Sequence, residues 1–204
     1  ELVITSFYPR RYNNRFMYLK REMRDLVHDF GKLRSIKIDS IESKNNWMNV
    51  TERDFFLQNF VHDFDYMSYI LRLDLYDAKN FKAVKLVCNK DIYEVAGVRD
   101  DGISFHFRHS AELEIVKPND IIEVAFDKAV VHIETGFDNC FVHNLETGER
   151  RMEKLGYVNF DEACKEVNDN FIYSILGSTK AHVSTKEISS NLENAEIIFD
   201  DNVF

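Results

Sequence analysis

Ile92-Tyr93-Glu94-Val95-Ala96-Gly97-Val98-Arg99-Asp100-Asp101-Gly102-Ile103-Ser104-Phe105-His106-Phe107-Arg108 is the stretch whose reading decides the architecture. Two runs rich in β-branched and aromatic residues flank Arg99-Asp100-Asp101-Gly102, where Asp and Gly supply the chemistry of a tight hairpin. Similar punctuation recurs at Asn89-Lys90-Asp91 and at Lys117-Pro118-Asn119-Asp120. The turns separate seven short runs: Lys82–Cys88, Ile92–Gly97, Ile103–Arg108, Ala111–Val116, Asp120–Phe126, Ala129–Glu134 and Cys140–Leu145. This spacing predicts an antiparallel meander or a small β-barrel.

Working outward, the pattern changes to helices. Phe16, Leu19, Met23, Leu26, Val27 and Phe30 recur at steps of three and four, which predicts a helix over Asn14–Phe30 with Gly31 as its stop. Ile36 and Ile38 alternate with polar residues and predict a strand. Thr51 and Asp54 form a capping box for a second helix, whose stripe is Phe56, Leu57, Phe60, Val61 and Phe64. Leu71, Leu73 and Leu75 read as a further strand. Beyond the strand section, Asn159 and Glu162 cap a third helix with Phe160, Cys164, Val167, Phe171 and Ile175 inward, stopped at Gly177. The order is α+β: N-terminal helix–strand–helix–strand, central meander or barrel, C-terminal helix and acidic tail. We expect a single domain over 1–177, helix-rich in 1–66, strand-rich in 67–146 and helical in 159–176. Residues 178–204 read as a polar tether and acidic tail.

Composition narrows the class. With 45% apolar and 13% aromatic residues, the 204-residue chain has enough to bury a core. Three widely spaced cysteines (Cys88, Cys140, Cys164) fit neither a disulfide framework nor a zinc knuckle and point to a reducing, intracellular, cytoplasmic setting. No run reaches the ~20 apolar residues of a membrane span. The abundance of Phe, Ile, Asn, Lys and Tyr resembles proteins of AT-rich genomes, many phages among them, which would place the protein in a virion or host cytoplasm.

Charge is sorted along the chain. Residues 1–37 carry nine bases against four acids, inside a protein of net charge -9. Tyr8, Arg10, Arg11, Tyr12 and Arg15 interleave guanidinium groups with rings, the composition of a partner surface or a single-stranded nucleic-acid contact. At the other end, Phe199, Asp200, Asp201 and Phe204 form an acidic, aromatic-ended tip. This tip resembles that of bacterial and phage single-stranded-DNA-binding proteins, a resemblance that implies a tail docking on partner proteins.

Catalytic motifs are sparse. The sequence contains no Gly-x-Ser-x-Gly elbow, no phosphate loop and no His-Glu-x-x-His. His106, His132, Glu134 and His143, with His109 nearby, are the side chains a metal site on the strands would use, since residues two apart on a strand share a face. The echo Val27-His28-Asp29-Phe30 and Val61-His62-Asp63-Phe64 places each His near a predicted helix end, where it complements the macrodipole.

These readings lead to a non-enzymatic interaction or assembly protein, of a phage-type accessory or structural kind, working through a protein partner or self-association and needing no cofactor. A single-stranded nucleic-acid-binding protein with a docking tail is the alternative. A metal-dependent enzyme with a His/Glu site is the third reading.

Overall fold

The structure, a computed structural model, describes residues 6–71, 81–113, 119–135, 139–155 and 160–200. A short 3-10 turn, Pro9–Tyr12, leads into α1 (Asn14–Phe30), β1 (Leu33–Ser43) and a second 3-10 turn, Lys44–Trp47. Then follow α2 (Glu52–Leu71), β2 (Phe81–Cys88), β3 (Ile92–Arg99), β4 (Ser104–Leu113) and β5 (Asn119–Phe126). The chain continues with β6 (Ala129–Glu134), β7 (Asn139–Asn144), β8 (Arg150–Lys154), α3 (Phe160–Ile175) and α4 (Thr185–Asp200). The α+β class holds, with four α-helices among the described residues and a mostly antiparallel sheet.

The local chemistry explains the helix ends. The Asn13 side chain accepts from the Arg15 amide at the start of α1, and Gly31, at φ 84°, turns the chain out of it. Thr51 and Asp54 form the expected capping box, with the Asp54 amide donating to Thr51 Oγ1 at 3.1 Å. Helix α2 runs on to Leu71, so the strand expected at Leu71, Leu73 and Leu75 begins inside a helix. The rest of that expectation, like the cap residue Asn159, lies outside the described residues. On α3, Ala163, Val167 and Ser174 are buried, whereas Ile175 is exposed.

Among the described residues, the sheet has eight strands in the order β2-β3-β4-β1-β5-β6-β7-β8 and is open, not closed into the barrel that was one expectation. Strand β1 lies between β4 and β5, parallel to the first and antiparallel to the second. Two predicted strands, Ile103–Arg108 and Ala111–Val116, merge into β4, because β1 continues to pair with it from Ser40 against His109 to Ile41 against Ser110. Strand β8 was not anticipated.

One face of the sheet meets the helices. Phe105, Ile36, Val124, Val131 and Val142 form one cross-strand row, all buried. Phe107, Ile38, Ile122, Ile133 and Cys140 form the next, packed with Phe56, Phe60, Phe64 and Met67 of α2 in one core. On the opposite face Ala96, His106, Lys37, Glu123, His132, Phe141 and Met152 form a row that alternates in charge near its centre.

The tether expected over 178–204 is in large part the helix α4. Ser184 and Glu187 cap it reciprocally: the Glu187 amide donates to Ser184 Oγ at 3.2 Å, and the Ser184 amide to Glu187 Oε2 at 2.7 Å. Ala195 and Ile198 bury against the core, and Phe199 tilts onto Phe56 with ring centroids 5.4 Å apart. Among the described residues, no helix is long and apolar enough to cross a membrane.

Candidate functional site

Beyond the two apolar rows, the helix-facing side of the sheet turns polar. Tyr93 on β3, His109 on β4, Ser40 on β1 and Asp120 on β5 are register neighbours and form the next row across four strands. Glu42 follows two residues after Ser40 on β1 and accepts from the Trp47 indole N–H at 2.9 Å. Above the row, α2 lowers Asp63 into the interior, and the 3-10 turn inserts Arg10 from the side.

Arg10 is the hub. One guanidinium nitrogen is ion-paired with Asp63; the other donates to Asp120 at 2.9 Å and to Ser40 Oγ at 3.1 Å. The Ser40 hydroxyl also donates to Asp120 at 2.5 Å. Tyr93 donates its hydroxyl to the other oxygen of Asp63 at 2.5 Å. Burial opposes the Arg10 charge, but Asp120 and Asp63 more than offset it and hold the guanidinium protonated. For Asp63, which has no exposed side-chain surface, burial pushes the carboxyl up while Arg10 and Tyr93 pull it back.

Two histidines border this network and stay neutral. His62, half-buried on α2, meets the Tyr8 ring edge-on at 5.3 Å, and burial together with the Arg10 charge lowers it to about 3. His109 is stacked on Tyr93 with centroids 5.6 Å apart and lies well below its ordinary value for the same two reasons. Its side chain is 1% exposed, and neither ring nitrogen has a hydrogen-bond partner among the described residues. The rim is partly open at Arg10, Glu42, His62 and Asp120. Such a site can accept hydrogen bonds from a hydroxylated ligand through its carboxylates and its neutral imidazoles.

The other expected contact residues are drawn inward as well. Arg11 is buried, donating to both Asp65 oxygens at 2.9 and 2.5 Å, to the His182 carbonyl at 2.6 Å and to Glu187 at 3.1 Å. Tyr8 is buried, Tyr12 stacks on His182 at 5.2 Å, and Arg15 donates to the Thr135 carbonyl. Among the described residues, Arg10 and Arg11 are therefore matched by Asp63 and Asp65 of α2, Asp120 and Glu187, and do not line an open groove. At the tail, Phe199 is half-buried; its carbonyl accepts from Lys85 at 2.5 Å, and Asp200 ends α4. Asp201 and Phe204 lie outside the described residues.

The strand residues considered for a metal face the open side. His106 pairs with Glu94 at 2.7 Å, and His132 stands 3.8 Å from Glu123. Glu134 accepts from Asn119 at 3.1 Å, and His143 is exposed. Among the described residues, no three His, Cys, Asp or Glu side chains gather as a metal site.

Solved structures share this fold. The chain superposes on UDP-N-acetylglucosamine 3-dehydrogenase GnnA from Acidithiobacillus ferrooxidans with a TM-score of 0.68 at 11% identity, covering 98% of this chain and 60% of that one. For a probable dehydrogenase from Thermotoga maritima the score is 0.69 at 17% identity, over 98% and 62%. A levoglucosan dehydrogenase in complex with NADH and levoglucosan gives 0.68 at 10% identity, over 95% and 61%. The chain shares the fold of these dehydrogenase structures. The chain spans about 60% of the length of these neighbours, and the fold resembles their C-terminal domain. No protein-family profile and no curated protein sequence matches the chain.

The likeness corrects the functional reading made from sequence. Many structural neighbours are NAD(P)-dependent sugar dehydrogenases or oxidoreductases, which overturns the non-enzymatic assembly protein and its nucleic-acid-binding and metal-enzyme alternatives. Nothing in the fold supports a phage or nucleic-acid-binding assignment. Sequence reasoning missed His62 and Asp63 as site residues because it ended the second helix too early and gave His62 a capping role. A signal was present. Asn59 and Asp63 are polar residues at helical spacing on the face that also carries Phe56 and Phe60, and a carboxylate there needs a buried partner.

Proposed function

We propose that the chain is the substrate-holding part of an oxidoreductase acting on a polyhydroxylated, sugar-like compound. The observation that carries this reading is the convergence of neutral His62 and the Arg10–Asp63–Asp120 network at one end of the sheet, in a fold that sugar dehydrogenases share. His62 is the group that takes the hydrogen bond of the reacting hydroxyl and fixes its orientation. Arg10, held between Asp63 and Asp120, helps to keep the imidazole neutral, so that His62 presents a lone pair to the hydroxyl. Asp63, Ser40 and Asp120 hold Arg10 in place.

The dinucleotide does not fit these residues on their own. The seven glycines include no Gly-x-Gly-x-x-Gly, the backbone cradle that brings a pyrophosphate onto a helix N-terminus. Neighbours that are longer than this chain agree with a nucleotide held by other polypeptide.

The test is a titration of the protein with D-glucose and with myo-inositol, followed through the His62 ring resonances by NMR. Saturable shifts at His62 that vanish in Arg10→Met support the reading. Shifts confined to other residues, or none at saturating polyol, would refute it.

A further inference from the structure

Among the described residues, the carboxylates of this site outnumber the cations paired with them. Asp63 and Asp120 share the single guanidinium of Arg10. Glu42, on the same edge of the sheet, takes the neutral Trp47 indole N–H. The neighbouring histidines contribute no charge, since burial and Arg10 hold both imidazoles neutral. Arg11 cannot supply the missing charge either, because Asp65, Glu187 and the His182 carbonyl take up its guanidinium.

His109 is an independent sign that a ligand belongs here. Its side chain is 1% exposed, its two ring nitrogens have no partner among the described residues, and Nε2 stands 3.9 Å from Glu42 Oε1. A neutral imidazole needs one acceptor and one donor. A buried ring with neither is costly, and a ligand hydroxyl can serve as either.

Building on the reading above, we propose that the substrate carries a protonated amine beside its hydroxyls, an amino sugar or aminopolyol, with the ammonium group on Glu42 and a neighbouring hydroxyl on His109. An ammonium brings donors and a positive charge to a carboxylate that, among the described residues, feels Arg10 only at a distance and forms no ion pair with Lys or Arg. A sugar acid or sugar phosphate would instead bring like charge to Glu42 and Asp120.

Calorimetric titration of the protein with D-glucosamine, D-glucose and D-glucuronate at neutral pH tests this. Glucosamine should bind about tenfold more tightly than glucose, the strength of one hydrogen bond to a charged group, and glucuronate more weakly than either. Glu42→Gln should bring glucosamine and glucose to equal affinity. Raising the pH above the amine's own pKa should abolish the preference in the unaltered protein, an arm that decides the matter if Glu42→Gln does not fold. Equal affinity for glucosamine and glucose, or a preference for glucuronate, overturns the amine while leaving the polyol site standing. No binding by any of the three overturns both.

Discussion

Arg10 shows how a residue that reads as surface charge becomes an interior hub. It closes a network of Asp63, Asp120 and Ser40, so its removal leaves carboxylates without a counter-charge in a desolvated setting. Arg10→Met should cost about 3–5 kcal/mol, the range for breaking a buried pair. Urea denaturation measures this, and adding Asp63→Asn should recover part of the loss, since coupled partners are not additive. The histidines set a pH dependence. His62 is held near 3 against an ordinary 6.5, by burial first and Arg10 second. The unfolded chain then binds a proton that the folded chain refuses, so stability should fall as pH drops from 6.5 towards 3. His109 pulls the same way, whereas Asp63, whose buried carboxyl is pushed up, opposes it in the lower part of that window. His62→Gln should flatten the decline in chemical-denaturation midpoints measured across that range; identical curves would show that His62 does not titrate this way. At this scale the residue types were legible in the sequence, but not their direction: an arginine between aromatics looks the same whether it faces water or a carboxylate fifty-three residues away.

Helix α4 carries the element-scale lesson. Its capping box, Ser184 to Glu187, is as well formed as that of α2, yet the Ser/Thr/Asn/Glu-rich composition around it reads as a tether. What makes it a helix is partly tertiary. Asn191 donates to Asp65 at 3.1 Å, Glu187 accepts from Arg11, and Ala195 and Ile198 bury against the core. Polar residues on its inner face meet buried polar partners, a pattern that hydrophobic periodicity cannot register. Ser184→Ala should cost about 1 kcal/mol, the usual worth of an N-cap, read as a shift in thermal midpoint. Because Glu187 both caps the helix and pairs with Arg11, Glu187→Ala should cost more than Ser184→Ala in the same measurement. The strand section was legible for the opposite reason. Alternation with Asp-Gly and Asn-containing turns is local chemistry, and β2, β3, β5, β6 and β7 fall where those signals place them.

Across the whole molecule the decisive feature is the position of β1. It precedes α2 in sequence, yet it sits at the centre of the sheet, with β4 on one side and β5 on the other. Neither half of the chain can satisfy it alone. A fragment ending at Leu113 would leave the β5 edge of β1 unpaired, and a fragment beginning at Asn119 would lack β1 altogether. Neither should show the dispersed amide spectrum of a folded protein, and mixing the two should restore it; a folded isolated fragment would contradict this. The same placement builds the site, because β1 brings Ser40 between His109 and Asp120, with Glu42 two residues further along the strand. The α+β class, the first two helices and the hairpins follow from short-range chemistry, in which each residue answers to neighbours a few positions away. The open sheet, the parallel β1–β4 pairing, the burial of Arg10 and Arg11 and the convergence of Asp63 and Asp120 on Arg10 were settled only in three dimensions. They depend on pairings across long separations, where many partners satisfy the same local pattern and only the packing of the complete chain selects among them.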